Sequence, residues 1–231
     1  MALYDLRSLL EKVRKERPLV HNITNYVVMN FTANTLLAMG ASPVMAHAVN
    51  EVEEMVSLAR AFVINIGTLS EHWIEAMLKG GRKANGLGIP VILDPVGAGA
   101  TSLRTRTFAV MARELKLAVV RGNASEILSL ASETVRTKGV EAIHGVEEAA
   151  ETARETARRI ETVVAITGPV DVITDGETVI RCRNGHPLLA TVTGTGCAAT
   201  TAIAAFAAVT EDPLEAAAAG LAFFGLAGEV A

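Results

Sequence analysis

Apolar positions along the 231-residue chain fall into short continuous runs separated by stretches of helical periodicity. Residues 6–15 repeat apolar positions at helical spacing, 19–23 form a short apolar run, and 25–39 read as a buried helix stopped by Gly40. The pattern then predicts an extended piece at 43–45, a helix at 52–60 and a strand at 62–66. Ser70 caps a helix over 70–84, followed by a strand at 91–93 and a helix at 103–115. A strand at 118–120, a helix at 124–131, a charged amphipathic helix at 146–159 and a strand at 163–166 continue the alternation. Runs at 171–174 and 178–181 flank Asp175-Gly176, a strong hairpin signal, and helices at 196–209 and 213–228 close the chain.

Strands that are apolar throughout, each followed by a helix, predict an α/β fold: a mostly parallel sheet covered by helices on both faces. The hairpin adds an antiparallel edge near the end. With no internal repeat, low-complexity tract or linker, residues 1–231 read as a single domain. In such sheets ligands bind in the crevice at the carboxyl ends of the strands.

Composition narrows the function classes. Half of the residues are hydrophobic and 20% are charged, which excludes a disordered chain or a small stapled scaffold. A net charge of -4 gives no electrostatic reason to bind nucleic acid or an anionic membrane. Two cysteines, Cys182 and Cys197, are too few for a disulfide framework or a zinc site. The first residues lack a basic segment ahead of an apolar core, so the expected setting is the cytoplasm. The chain is rich in alanine and only 4% aromatic, which suits tight helix–sheet packing and a small ligand held by backbone and short side chains.

Polar and glycine residues cluster just past the strands. Thr193-Gly194-Thr195-Gly196-Cys197 opens a long helix, where first-turn N–H groups lack partners and the dipole favours an anion. The same residues serve equally well in an ordinary capped turn. Their Gly-x-Gly-x-x-Ala spacing matches a dinucleotide fingerprint only superficially, because it lies near the C-terminus and no strand ending in an acid follows. Asp94 and Glu126 each follow a strand; together they could hold Mg²⁺, and separately each could serve as a cap or surface ion pair. Arg121 offers a phosphate a permanently charged fork. Cys197, at a helix N-terminus, reads either as a group beside a reacting hydroxyl or as a small buried hydrophobe. His21 is placed to order the first loop, whereas His47, His72, His144 and His186 show no ligand spacing.

Six motifs then stand in one order: His21-Asn-Ile-Thr-Asn25, Ala41-Ser-Pro-Val-Met45, Asn65-Ile-Gly67-Thr68, Leu93-Asp-Pro-Val-Gly-Ala-Gly99, Gly122-Asn-Ala-Ser-Glu126 and Gly194-Thr-Gly-Cys197. The set resembles the hydroxyethylthiazole kinase family of the ribokinase-like superfamily, over about residue 6 to the end. The resemblance implies a three-layer ribokinase-like fold. It implies transfer of phosphate from ATP to 4-methyl-5-(2-hydroxyethyl)thiazole, with Mg²⁺, in a homotrimer whose active sites lie between subunits. By position, Asn25, Met45, Gly67, Gly194 and Cys197 would line the alcohol pocket, and Arg121 and Thr167 would contact ATP. Asp94 and Glu126 would organise Mg²⁺ and its water shell, and Gly194, Gly196 and Cys197 would cradle the transferring phosphate. Sugar kinases of the superfamily usually place an aspartate base where this chain has Cys197, which leaves Cys197 two roles, positioning the alcohol or acting as base. The family also continues with helical sequence past the equivalent of Ala231. Three other functions stay open from the residues alone: a kinase for another vitamin-precursor alcohol, a nucleotide-binding sensor without turnover, and, ranked low, an NAD-dependent oxidoreductase.

Overall fold

The computed structural model describes residues 5–134 and 146–231, so His144 lies outside the described residues. Six parallel strands alternate with helices in the first two-thirds of the fold: β1 (Leu19–Ile23), β2 (Ser42–Val44), β3 (Ala61–Asn65), β4 (Val91–Asp94), β5 (Val119–Asn123) and β6 (Val163–Thr167). β7 (Asp171–Thr174) and β8 (Val179–Cys182) add the antiparallel hairpin at one edge, giving the order β2-β1-β3-β4-β5-β6-β7-β8 among the described residues. Asp175 Oδ1 accepts the N–H groups of Glu177 and Thr178 and so builds the expected turn.

Successive strand residues point to opposite faces, and here both faces are buried. Ala61, Val63, Ile92, Val119 and Val163 join one core with α1 (Leu6–Glu16), α2 (Met29–Met39), α8 (Thr195–Ala207) and α9 (Pro213–Val230). Phe62, Ile64, Val91, Leu93 and Val120 join the other, under α3 (Val52–Leu58), α4 (Glu71–Leu87), α5 (Ser102–Glu114), α6 (Ala124–Thr134) and α7 (Val146–Ile160). The result is the three-layer α/β fold that the pattern predicts.

Alanine weighs toward the first core, where Ala199, Ala202, Ala204, Ala205, Ala216 and Ala217 pack with Phe206, while the second core sets alanines such as Ala76, Ala150 and Ala153 among Phe62, Trp73, Met77, Phe108 and Met111. Every residue of α8 from Ala198 to Ala207 is buried, which is why this helix has no polar face. α9 is long and apolar enough to cross a membrane by length and composition, yet Leu214, Ala216, Ala217, Gly220 and Leu221 are buried in the fold.

Most boundaries shift by one to three residues, and three larger departures from the sequence reading stand out. α2 starts at Met29 and not at 25, because Asn25 is held in the loop by its own side-chain hydrogen bonds. β5 runs on through Arg121 to Asn123 and passes into α6 without a loop, so Arg121 is a strand residue. A 3₁₀ turn at Pro187–Thr191, which the pattern does not predict, is capped by His186.

Gly220 marks the tightest helix contact. A Cβ there would lie 2.6 Å from Ile203 Cα of α8. Gly220→Ala is therefore expected to destabilise the fold by about 1–3 kcal/mol through overpacking. The expected fall in Tm is about 2–4 °C per kcal/mol. An unchanged Tm in thermal melts would show that α8 and α9 have room to separate.

Candidate active site

The parallel ladder ends in polar residues. Asn65 of β3 pairs in register with Asp94 of β4, and β5 places Arg121 beyond them. Asp94 is fully buried. Its Oδ2 accepts hydrogen bonds from Asn65 Nδ2 at 2.8 Å and Thr200 Oγ1 of α8 at 3.0 Å. Its Oδ1 has no hydrogen-bond partner and lies 3.9 Å from Arg121 Nη1. Burial, aided by the nearby Glu126 charge, pushes the Asp94 pKa up from 3.8 to about 6, against the pull of Arg121, Thr200 and Cys197.

A directed relay runs from this carboxylate to the helix start. Asn65 Oδ1 accepts Gly67 N–H at 3.0 Å and Asn25 Nδ2 at 2.9 Å. Asn25 Oδ1 accepts Val27 N–H at 3.1 Å, and its Nδ2 also reaches Cys197 Sγ at 3.5 Å. A backbone N–H thus sets which way each amide faces, and Cys197 Sγ is left accepting a hydrogen bond. Burial, then the Asp94 charge, pushes the Cys197 thiol up to about 11, so it is a neutral thiol at physiological pH.

α8 begins at Gly194, whose φ of 87° is left-handed and where a Cβ would lie 2.6 Å from Val28 Cγ1. No side chain caps this helix, which leaves its first-turn N–H groups open. The Arg121 guanidinium lies against that turn: a Cβ on Gly196 would be 2.5 Å from Nη1. Arg121 Nη2 donates to Thr167 Oγ1 at 2.6 Å. An open helix N-terminus with a largely buried guanidinium on its first turn suits an anion.

Glu126 is structurally committed. Asn123 Oδ1 accepts Glu126 N–H at 2.9 Å while Glu126 Oε2 accepts Asn123 N–H at 2.8 Å, a reciprocal capping box at the start of α6. Its Oε1 accepts Gly97 N–H at 2.8 Å and so holds the loop after Asp94. Each oxygen keeps further lone pairs. Met45 follows β2 and precedes Ala46, whose carbonyl lies 2.6 Å from the buried His21 Nε2. Burial holds the His21 pKa below its usual value, which keeps the ring neutral and donating from Nε2.

The structure thus joins Asn25, Gly67, Asp94, Arg121, Thr167, Gly194, Gly196 and Cys197 in one cluster past the strand ends, with Glu126 bracing it. Sequence reasoning did not single out Asn65, Thr200 and Arg104. Asn65 was detectable from its place at the end of a strand beside Asp94, and Thr200 from its place one turn after Gly196. A ring cluster also goes beyond the sequence reading: Tyr26 and His47 each lie 4.8 Å from Trp73, on the loops beside Asn25 and Met45. A separate cleft lined by Ala109, Glu114, Lys116 and Leu130 opens near the start of β5, away from these groups.

A sequence model of the hydroxyethylthiazole kinase family matches residues 10–231. The curated hydroxyethylthiazole kinase of Desulfotalea psychrophila is 59% identical over 222 residues, 96% of this chain and 81% of that protein. That of a Roseiflexus species is 58% identical over 224 residues, covering 97% and 83%. The solved hydroxyethylthiazole kinase protein from Pyrococcus horikoshii superposes with a TM-score of 0.92 at 49% identity, over 99% of this chain and 85% of that one. Bacillus subtilis pyridoxal kinase, solved as an ADP complex, shares the fold alone, with a TM-score of 0.63 at 14% identity over 88% of each chain. A match over nearly the whole length, at more than half identity to curated members, places the chain in the hydroxyethylthiazole kinase family.

Proposed function

We propose that this protein transfers the γ-phosphoryl group of ATP to the hydroxyethyl group of 4-methyl-5-(2-hydroxyethyl)thiazole, giving the monophosphate used in thiamine biosynthesis and salvage. The observation that carries this reading is the uncapped first turn of α8, with Arg121 packed on Gly196 and the open Asp94 Oδ1 beside it. Phosphoryl transfer passes through a loose transition state, so positioning and charge neutralisation supply most of the catalysis. The N–H groups of Gly194 to Cys197 would receive the transferring phosphoryl oxygens, and Arg121 and Thr167 would hold the nucleotide phosphates. Asn25, Met45, Gly67 and Gly194 would line the alcohol pocket.

The donor set fits Mg²⁺: a buried, unpartnered carboxylate oxygen on Asp94 and a braced carboxylate on Glu126, with the remaining ligands left to phosphate and water. A cation held there supplies neutralisation of the polyphosphate charge. Cys197, protonated and accepting from Asn25, serves to position the hydroxyl and not as a thiolate base. The reading includes a homotrimer with shared sites: Tyr26 and Val27 are 65% and 67% exposed, and Val28 and Phe31 adjoin Gly194, so apolar surface continues out of the crevice. It also includes a cytoplasmic setting, supported by the packing of α9 into the core.

A coupled ADP-release assay tests the substrate. Mg²⁺-dependent turnover is expected with the thiazole alcohol and not with hydroxymethylpyrimidine, pyridoxal or ribose. Turnover of one of those instead would sink the substrate assignment, and binding without any turnover would identify a sensor. For Cys197→Ser the expectation is a partial loss of kcat with an unshifted pH–rate profile; near-total loss, or the disappearance of an alkaline limb, would restore the thiolate base.

Asp94→Asn is expected to abolish turnover yet stabilise the free protein at alkaline pH. A carboxyl raised from 3.8 to about 6 is penalised in the fold only while charged. The penalty is absent below the unfolded value, grows between the two, and is complete above the folded one. Thermal melts should therefore show the variant ahead by on the order of 1–3 kcal/mol at about pH 8 and level with the parent at about pH 4. A variant that is less stable at both would show that Arg121 needs the charge more than burial opposes it.

A further inference from the structure

Arg104 occupies a position that local rules disfavour. It lies in the first turn of α5, three residues after the N-cap Thr101, where the helix dipole opposes a cation and no acidic residue accompanies it. No carboxylate lies within ion-pair distance of it among the described residues, so neither helix stability nor a salt bridge accounts for the charge. Departures of this kind gather at functional positions.

Its guanidinium spans two loops. Nη2 donates to Gly67 O at 2.8 Å and Nη1 to Val96 O at 3.0 Å. Gly67 belongs to the alcohol side: its N–H bonds Asn65, and a Cβ on it would lie 2.7 Å from Asn25 Nδ2. Val96 belongs to the nucleotide side, two residues after Asp94 and one before Gly97, whose N–H bonds Glu126. The sheet joins these loops only as far as the Ile66 N–H bond to Asp94 O at 3.2 Å, and Arg104 links them beyond that point. Gly97, left-handed at φ 71°, provides the space: any side chain there would run into Arg104 Nη1. The planar fork suits two carbonyls on separate loops, whereas a lysine ammonium is a single point donor.

We propose that Arg104 is a positioning residue that clamps the alcohol loop to the nucleotide loop, so that filling one half of the site orders the other. This inference rests on the kinase reading above. It takes as probes the alcohol that the ADP-release assay turns over and a non-hydrolysable Mg-ATP analogue.

Calorimetry on the full chain would measure the Kd of the alcohol with and without the analogue, for the parent, Arg104→Met and Arg104→Lys, with Tm recorded for each. In the parent the analogue is expected to tighten alcohol binding by about tenfold. Arg104→Met should bring that ratio to about one, and Arg104→Lys should leave an intermediate value. A purely structural arginine would lower Tm and leave the ratio at the parent's value, and that result overturns the proposal, as does a parent ratio of one. If Arg104→Met does not fold, the ratio in Arg104→Lys decides alone, and a parent-like value there overturns it. Failure of the parent to turn over any alcohol is a different outcome: it removes the kinase reading and this inference with it.

Discussion

A charge that is costly to bury organises this molecule. Asp94 ends a central strand with no exposure to water, where an unpaired carboxylate is strongly disfavoured. Three elements answer that cost. Asn65 approaches from β3, Arg121 from β5 and Thr200 from α8. The strand order makes this arrangement available, since β3 and β5 are the two neighbours of β4. The partners also divide the carboxylate unequally: two hydrogen bonds saturate Oδ2 while Oδ1 keeps only a distant guanidinium. One oxygen anchors the fold and the other is left without a hydrogen-bond partner.

That anchoring requires α8 to come close to the sheet. Thr200 can reach Asp94 because the helix behind it is built of alanines and its partner α9 presents Gly220 against Ile203. Larger side chains in this layer would push α8 outward and carry its open first turn away from Arg121. Rings are carried on both faces: Phe206 of α8 meets Phe223 of α9, and Phe62, Trp73 and Phe108 lie in the other core. The demand for small side chains is therefore local to the contact of Gly220 with Ile203 and to the alanines around Thr200. Tyr26, next in sequence to Asn25, and His47, close in sequence to Met45, both pack on Trp73.

Much of this was legible in the chain. The alternation of apolar runs and helical spacing yields the parallel sheet, and Asp175-Gly176 yields the edge hairpin, because both signals are local. The motifs after the strands name most of the crevice. What stayed hidden depends on register and on distant approach. Arg121 looked like a loop residue because its strand ends in polar groups that serve the site and not the core. Arg104 lacked a signal: at the exposed start of a helix, an arginine gives no hint that two carbonyls from other loops will converge on it. Asn65 was visible as a motif letter, but its function as a hub follows only from the pairing of β3 with β4.

The two acidic residues show how one chemistry is divided between two structural situations. Glu126 is satisfied by backbone: its capping box starts α6 and its second oxygen fixes Gly97. Both oxygens are thereby held at the start of α6. Asp94 is satisfied by side chains and only on one oxygen, and burial raises its pKa. Glu126 is therefore fixed in place by backbone donors, whereas Asp94 holds its charge against burial and would gain from a nearby cation. A divalent ion accompanying a polyphosphate would find Asp94 Oδ1 without a hydrogen-bond partner, and the phosphate groups would face the open turn of α8. Because the Thr200 hydroxyl reaches both the Gly196 carbonyl of that turn and the Asp94 carboxylate, charge compensation at Asp94 would be coupled to anion capture at the helix start.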